Sequence, residues 1–251
     1  MLYIRSFLTN LFFFGTLGLG CILNILLVPF PRKASVFYWD KIVMPTSLFW
    51  VRIFAGLKLE VRGTENILGT NVLYASKHES ALETYAFTQF APKTTYVLKK
   101  ELTYIPFFGW SQHLYGMIPV DRKGGAKAMK NMLKEVRKKV EIGRSVVIFP
   151  EGTRCQPGTT KGYKSGIMFL AENLKLPVVP VAVNTGLFWA KNSFLRYSGT
   201  AVFEFMPPIS PEGKTKEEFM NELQTVIENK CAELNKEAIE KYPHVEKMLV
   251  K

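Results

Sequence analysis

His78 is one of three histidines in the chain, and it opens the run His78-Glu79-Ser80-Ala81-Leu82-Glu83. A histidine titrates near neutral pH and a carboxylate beside it can fix its tautomer, so the pair suits proton transfer. Five steps along one helix turn about 500°, which would point the two side chains apart. They can meet if His78 lies in the turn before a helix and Glu83 reaches back from the first helical turn. Ser80 followed by Glu83 has the S-x-x-E form of a capping box, which starts a helix where that geometry needs it. Two readings of Glu83 compete: it caps the helix alone, or it also orients His78 and stabilises the imidazolium, as the acid of a triad does.

Three further segments need an explanation. Gly116-Met117-Ile118-Pro119-Val120-Asp121-Arg122-Lys123 reads as a strand ending in paired basic residues. The planar fork of Arg122 suits a phosphate, and the competing reading is a surface arginine paired with Asp121. Phe149-Pro150-Glu151-Gly152-Thr153-Arg154 follows the apolar run Ser145–Ile148. Gly152 admits backbone N–H groups close to an anion, Thr153 adds a hydroxyl donor and Arg154 adds charge. Glu151 in such a loop orients Arg154 or a backbone amide, a combination that a plain turn would not need. Val178–Asn184 is a buried strand containing Pro180, and alone it carries no functional information.

These segments need a scaffold. Short β-rich runs at Leu57–Val61, Val72–Ala75, Tyr96–Leu98, Met117–Val120, Ser145–Phe149, Val178–Val183 and Ala201–Phe205 read as strands. Helices are expected at Ser80–Phe90, Gly125–Glu141 and Ser165–Asn173, and again from Thr215 to Tyr242, where Pro243 supplies a stop. The alternation argues for an α/β fold, a sheet covered by helices. Ligands of such sheets bind at loops after strand C-termini, where the polar segments fall.

Charge and composition narrow the partners. The 33 basic and 21 acidic residues leave a net charge of +12, which favours an anionic partner. The basic residues are dispersed rather than interleaved with aromatics on one element, which argues against nucleic acid. The three cysteines are scattered and the histidines show no ligand spacing, so neither a disulfide framework nor a metal is expected. Arg122–Lys127 is not a P-loop.

From Ser6 to Phe30 no side chain is charged. Twenty apolar residues rise about 30 Å as a helix, roughly the hydrocarbon thickness, so Leu11–Phe30 reads as a membrane segment. As a signal peptide it would be too long and would lack a small-x-small cleavage site. Ile42–Val51 is too short to span and suits either an interfacial or re-entrant helix or an ordinary core helix. Arg32, Lys33 and Lys41 follow the first segment, against Arg5 before it, so a spanning segment would leave the remainder in the cytoplasm.

In order and separation, the four polar segments resemble the phospholipid/glycerol acyltransferase family. Its first motif is His-x4-Asp, its second resembles Gly116…Arg122, its third is Phe-Pro-Glu-Gly-Thr-Arg, here unchanged, and its fourth is an apolar strand with a proline. The stretch Lys99-Lys100-Glu101-Leu102 with Ile105–Gly109 is also similar to the family's, where a lysine helps bind phosphate. That role falls to Lys100, with Lys99 as the alternate. The departure is Glu83, which stands where the family has aspartate. The resemblance covers about Leu57 to Asn184.

The resemblance implies a mixed, mostly parallel sheet flanked by helices, with a membrane-associated helical segment (1–56) before the acyltransferase domain (57–251). It implies transfer of a fatty acyl group from a thioester to the free hydroxyl of 1-acyl-sn-glycerol 3-phosphate in phospholipid synthesis. His78 and Glu83 would be catalytic, with Lys100, Arg122, Glu151, Gly152, Thr153 and Arg154 binding substrate. No cofactor is expected beyond an acyl-CoA or acyl carrier protein thioester as co-substrate. Membrane lipids are expected partners, and the basic face of the Gly125–Glu141 helix could meet an acidic carrier. The competing readings are an acyltransferase for another lyso-lipid, such as a lyso-ornithine lipid, and a non-catalytic basic lipid binder.

Overall fold

The computed structural model describes residues 1–250. Three helices come first: α1 (Leu2–Asn24), α2 (Arg32–Tyr38) and α3 (Met44–Trp50). The next elements are β1 (Leu57–Arg62), β2 (Leu73–Ser76), α4 (Leu82–Phe90), β3 (Thr94–Lys99), α5 (Phe108–Tyr115) and β4 (Ile118–Val120). They are followed by α6 (Gly125–Glu141), β5 (Ser145–Ile148), α7 (Gly166–Leu174) and β6 (Val178–Val183). The chain ends with α8 (Thr185–Phe188), β7 (Gly199–Phe205) and α9 (Lys216–Lys241).

All seven expected strands are present, in the order β1-β7-β6-β2-β5-β3-β4. Every pairing is parallel except β6 with β7. Parallel strands covered on both faces should be apolar throughout, and β2, β5 and β6 are buried at every position. Alternate side chains serve opposite faces. Leu73 and Ala75 of β2 face the core under α6, α7 and α9, whereas Tyr74 faces the core under α4.

β2 and β5 lie side by side, with Ala75 opposite Ile148. From β2 the chain crosses toward β3, and from β5 it crosses back toward β6. That reversal opens a crevice at the strand C-termini, the usual ligand position in α/β sheets. The segments after Ala75 and after Ile148 both empty into it.

The N-terminal helices dock against this sheet. Residues Leu2–Leu27 form a helix with a mean hydropathy of 1.9, long and apolar enough to cross a membrane. One face of it packs inward: Phe13 is fully buried against Tyr85 and Trp189. Polar ties fix both ends, Arg5 to the carbonyls of Phe54 and Ala55, and Asn24 to Ser111. The outer face exposes Phe7, Leu11, Phe14, Leu19 and Ile22.

The second uncharged stretch, Ile42–Val51, becomes α3 between two π-helical turns, Trp39–Val43 and Val51–Ala55. Such wide turns ease the entry of Pro45, which cannot donate to the preceding turn. Gly56, at φ +65°, ends the run in the left-handed conformation that glycine adopts without strain. Met44 and Val51 are buried while Ile42, Phe49 and Ile53 remain exposed, so the segment has a core face and a bare apolar face.

Candidate active site

Parallel pairing carries β2 to Ser76, and the Lys77 amide still donates to Val181 of β6. His78 is therefore the first residue free of the ladder. Its amide donates to Glu151 Oε2 at 3.0 Å, its carbonyl accepts from Cys155, and its ring stacks on Phe149 at 4.0 Å. Three contacts from the β5 loop thus fix one histidine after β2.

Glu83 reaches back from the first turn of α4 and is fully buried. Its Oε1 lies 2.9 Å from His78 Nδ1 and also accepts the Glu79 and Ser80 amides, each at 2.7 Å. Its Oε2 accepts from the Thr185 hydroxyl at 2.8 Å. Of the two readings of Glu83, the geometry fits the second: it holds His78 as well as the amides ahead of α4, although the expected Ser80–Glu83 capping box does not form and the N-cap is Ala81. The helix starts at Leu82, two residues later than expected, because the Ser80 hydroxyl accepts the Leu82 amide. With a carboxylate at Nδ1, the neutral ring carries its proton there, and Nε2 keeps its lone pair.

His78 lines a cavity of about 260 Å³ on the α4 face of the sheet. Met44, Tyr85, Leu98, Phe108 and Tyr115 form much of its wall, and Arg154 stands with His78 at its lining. A second cavity, about 390 Å³, opens on the α6–α7 face and is lined by Arg122, Phe149, Gly152, Lys164 and Met129. Strand alternation separates them: Leu98 of β3 faces the first and Val97 the second.

The residues expected to bind phosphate divide between the two cavities. Arg122 donates to the Gly152 carbonyl, and both line the second cavity. Arg154 lines the first, its carbonyl accepting from Lys191 at 2.9 Å. Thr153, between them, is half-buried. Lys99 is in register with Val120, so Lys100 and Arg122 leave neighbouring strands. Lys100 is exposed and lines neither cavity, and Lys99 pairs with Glu101 at 3.3 Å.

Glu151 faces inward. One oxygen takes the His78 amide and the other takes Lys77 Nζ at 2.9 Å. Of the two roles its loop position allowed, it orients a backbone amide. Lys77 is itself 1% exposed and is shared with Glu228 of α9 and the Thr159 carbonyl. Burial alone would lower its pKa, but Glu151 and Glu228 outweigh that and leave it raised.

Sequence reasoning missed Lys77, Thr185 and Glu228, which support the histidine and its loop. Lys164 was missed as well. Its amide donates to Pro150, and its Nζ stands 3.0 Å from where a Cβ on Gly152 would lie. Its ammonium has no partner among the described residues. Glu79, fully buried beside Glu83, accepts from the Gly186 amide, and burial pushes its pKa up to about 8.

This geometry has relatives. The family model described as Acyltransferase matches residues 58–184. A 1-acyl-sn-glycerol-3-phosphate acyltransferase of Pseudomonas aeruginosa is 38% identical over 67% of this chain and 65% of its own length. The chain thus spans just under two thirds of that relative. The Saccharomyces cerevisiae enzyme of the same name is 30% identical over 86% of this chain and 71% of its own length. The crystal structure of the 1-acyl-sn-glycerophosphate acyltransferase of Thermotoga maritima superposes with a TM-score of 0.71, at 22% identity, covering 93% of this chain and 99% of that one. It shares the fold. By the match across half its length and by its yeast relative, this chain belongs to the acyltransferase family.

Proposed function

We propose that this protein transfers a fatty acyl group from a thioester to the free hydroxyl of 1-acyl-sn-glycerol 3-phosphate, giving phosphatidic acid. The observation that carries the reading is the 2.9 Å contact between His78 Nδ1 and Glu83 Oε1, which leaves Nε2 free beside an apolar cavity. His78 Nε2 takes the hydroxyl proton as that oxygen attacks the thioester carbonyl. Glu83 stabilises the resulting imidazolium. The tetrahedral intermediate collapses with cleavage of the C–S bond, and the thiolate leaves with the proton held by His78. The acceptor oxygen is the nucleophile, so no acyl-enzyme forms. Cys155, beside the site, is an unsuitable nucleophile because burial pushes its thiol up to about 11.

The 260 Å³ cavity suits the hydrocarbon of the acyl donor. Arg122, Gly152 and Lys164 present a cationic rim suited to the acceptor phosphate, with Lys100, Thr153 and Arg154 at neighbouring positions. The donor is a thioester of coenzyme A or of acyl carrier protein. We assign the exposed stripe of α1 to the membrane and the catalytic domain to its cytoplasmic face, on the basic residues that follow the apolar run.

The test is product analysis. Purified protein given lysophosphatidic acid and each donor in turn should form phosphatidic acid, and His78→Ala should lose roughly 10²–10⁴-fold in rate. Formation of no phosphatidic acid with either donor sinks the reading.

A further inference from the structure

Gly116 ends α5 at φ +94°, and its missing side chain lets cations close in around its Cα. A Cβ there would lie 2.9 Å from Arg144 Nη1, 3.2 Å from Lys139 Nζ and 3.4 Å from Arg32 Cδ. Arg144 and Lys139 are 6% and 7% exposed, while Arg32 is exposed. Like charges brought this close repel, and the more so where water is excluded.

Among the described residues no carboxylate forms an ion pair with any of the three, although the Tyr115 ring lies 4.9 Å from the Arg144 guanidinium and the charges of Asp40 and Glu135 act on Arg144 and Lys139 from farther off. The terminal nitrogens of Arg144 donate to the carbonyls of Tyr115 and Thr94, and its buried Nε has no acceptor. Lys139 Nζ has no hydrogen-bond or ion-pair partner among the described residues. The nearby carboxylates are engaged elsewhere: Glu135 pairs with Lys138 at 2.6 Å, and Asp40 accepts the Tyr115 hydroxyl at 2.9 Å. Burial, with Arg32 and Arg144, pulls the Lys139 ammonium down to about 8. A buried lysine between two arginines is an arrangement that an anion completes.

The position indicates which anion. Arg32 opens α2 directly after Leu26, Val28 and Phe30, all exposed. Phe37 of α2 and Trp110 of α5 are exposed as well, and α5 is tied to the N-terminal helices through Ser111, which accepts from Asn24 and Trp39. The cations therefore border the bare apolar surface of the N-terminal helices, the level at which lipid headgroups lie once that surface enters a bilayer.

We propose that Arg32, Lys139 and Arg144, gathered around Gly116, bind the phosphate of an anionic membrane lipid. None of the three lines either cavity of the active site. The assignment of the lipid rests on the anchoring of α1 given above.

The test is thermal unfolding of the full chain in neutral detergent, with dioctanoyl phosphatidylglycerol or inorganic phosphate added. The lipid should raise Tm by roughly 5–10 °C at a hundredfold excess over Kd. Lys139→Met should lose that shift yet unfold at a higher temperature than wild type without lipid, since it removes an unpaired buried charge. Arg122→Ala should keep the shift, which separates this site from the active site. An equal shift in Lys139→Met, or none in wild type, overturns the site, and an equal shift from inorganic phosphate overturns its assignment to a lipid. Flotation of wild type on phosphatidylcholine–phosphatidylglycerol vesicles separates the two readings. Protein that floats without a lipid shift loses the site alone, whereas protein that does not float loses the anchoring and the site's lipid together.

Discussion

His78 Nδ1 and Glu83 Oε1 lie 2.9 Å apart although five residues separate them in sequence. The contact exists because His78 stands before α4 and Glu83 within its first turn. One carboxylate oxygen thereby serves three donors, two of them backbone amides.

Glu83 carries two roles that substitution can separate. Glu83→Gln keeps an acceptor for the amides but cannot stabilise an imidazolium. It should lower kcat by about 10²–10⁴-fold, toward the effect of a triad acid replaced by its amide, while Tm moves little. Glu83→Ala should lose kcat similarly and also leave buried amides unsatisfied, at about 1–3 kcal/mol each. Steady-state kinetics with thermal melts checks both, and full activity in Glu83→Gln would reduce Glu83 to a holder of those amides.

The buried Lys77–Glu151 pair, extended by Glu228, sets the height of His78 through the Glu151–amide contact. Removing one member of a buried pair costs about 3–5 kcal/mol because the other charge stays buried. Lys77→Met should therefore unfold well below wild type. Glu228→Gln is milder, since that carboxylate is 23% exposed and Glu151 still holds Lys77. Its kcat should fall while KM for both substrates holds, the split expected of a positioning residue. A change confined to Tm would leave the pair with a purely structural role.

Much of this was legible in the sequence, for identifiable reasons. Val178–Val183 is a wholly apolar run with four valines, and the strand has those limits. α6 separates Met132 and Val136 from Lys127, Lys130, Lys134 and Lys138 at the helical period, and Thr215 with Glu218 forms the capping box that starts α9. Long-range relationships left no local trace. Lys77 reads as an ordinary basic residue until α9 brings Glu228, 151 positions later, against it. α5 was equally hidden: its start rests on Phe107 at φ +61°, and Gly109, Ser111 and Gln112 break any apolar period.

Gly152 and Lys164 make a sharper test of the phosphate rim. Gly152 sits at φ +70°, and a Cβ would meet Lys164 Nζ at 3.0 Å. Gly152→Ala is therefore strained at the backbone and displaces a cation. Lys164→Met removes the cation alone, so it should raise KM for lysophosphatidic acid roughly 10- to 100-fold, the range for one lost charge-assisted hydrogen bond. KM for the donor and Tm should stay near wild type. A rise in donor KM instead would give the rim to the thioester's phosphates.

Glu79 predicts a pH dependence of stability. Its carboxyl has an ordinary value of 4.5, and burial raises it to about 8 in the folded protein. Between those values the native state holds a proton that the unfolded chain has released. Stability from this group is thus fully present below pH 4.5 and is lost as pH rises toward 8, after which the loss levels off. Glu79→Gln cannot titrate and still presents an oxygen to the Gly186 amide. Its Tm should exceed that of wild type by an amount that grows from pH 5 to pH 8, at roughly 2–4 °C per kcal/mol for a chain of this size. Melting curves of both proteins across that interval decide the matter, since parallel pH profiles would mean that Glu79 is ionised in its buried position.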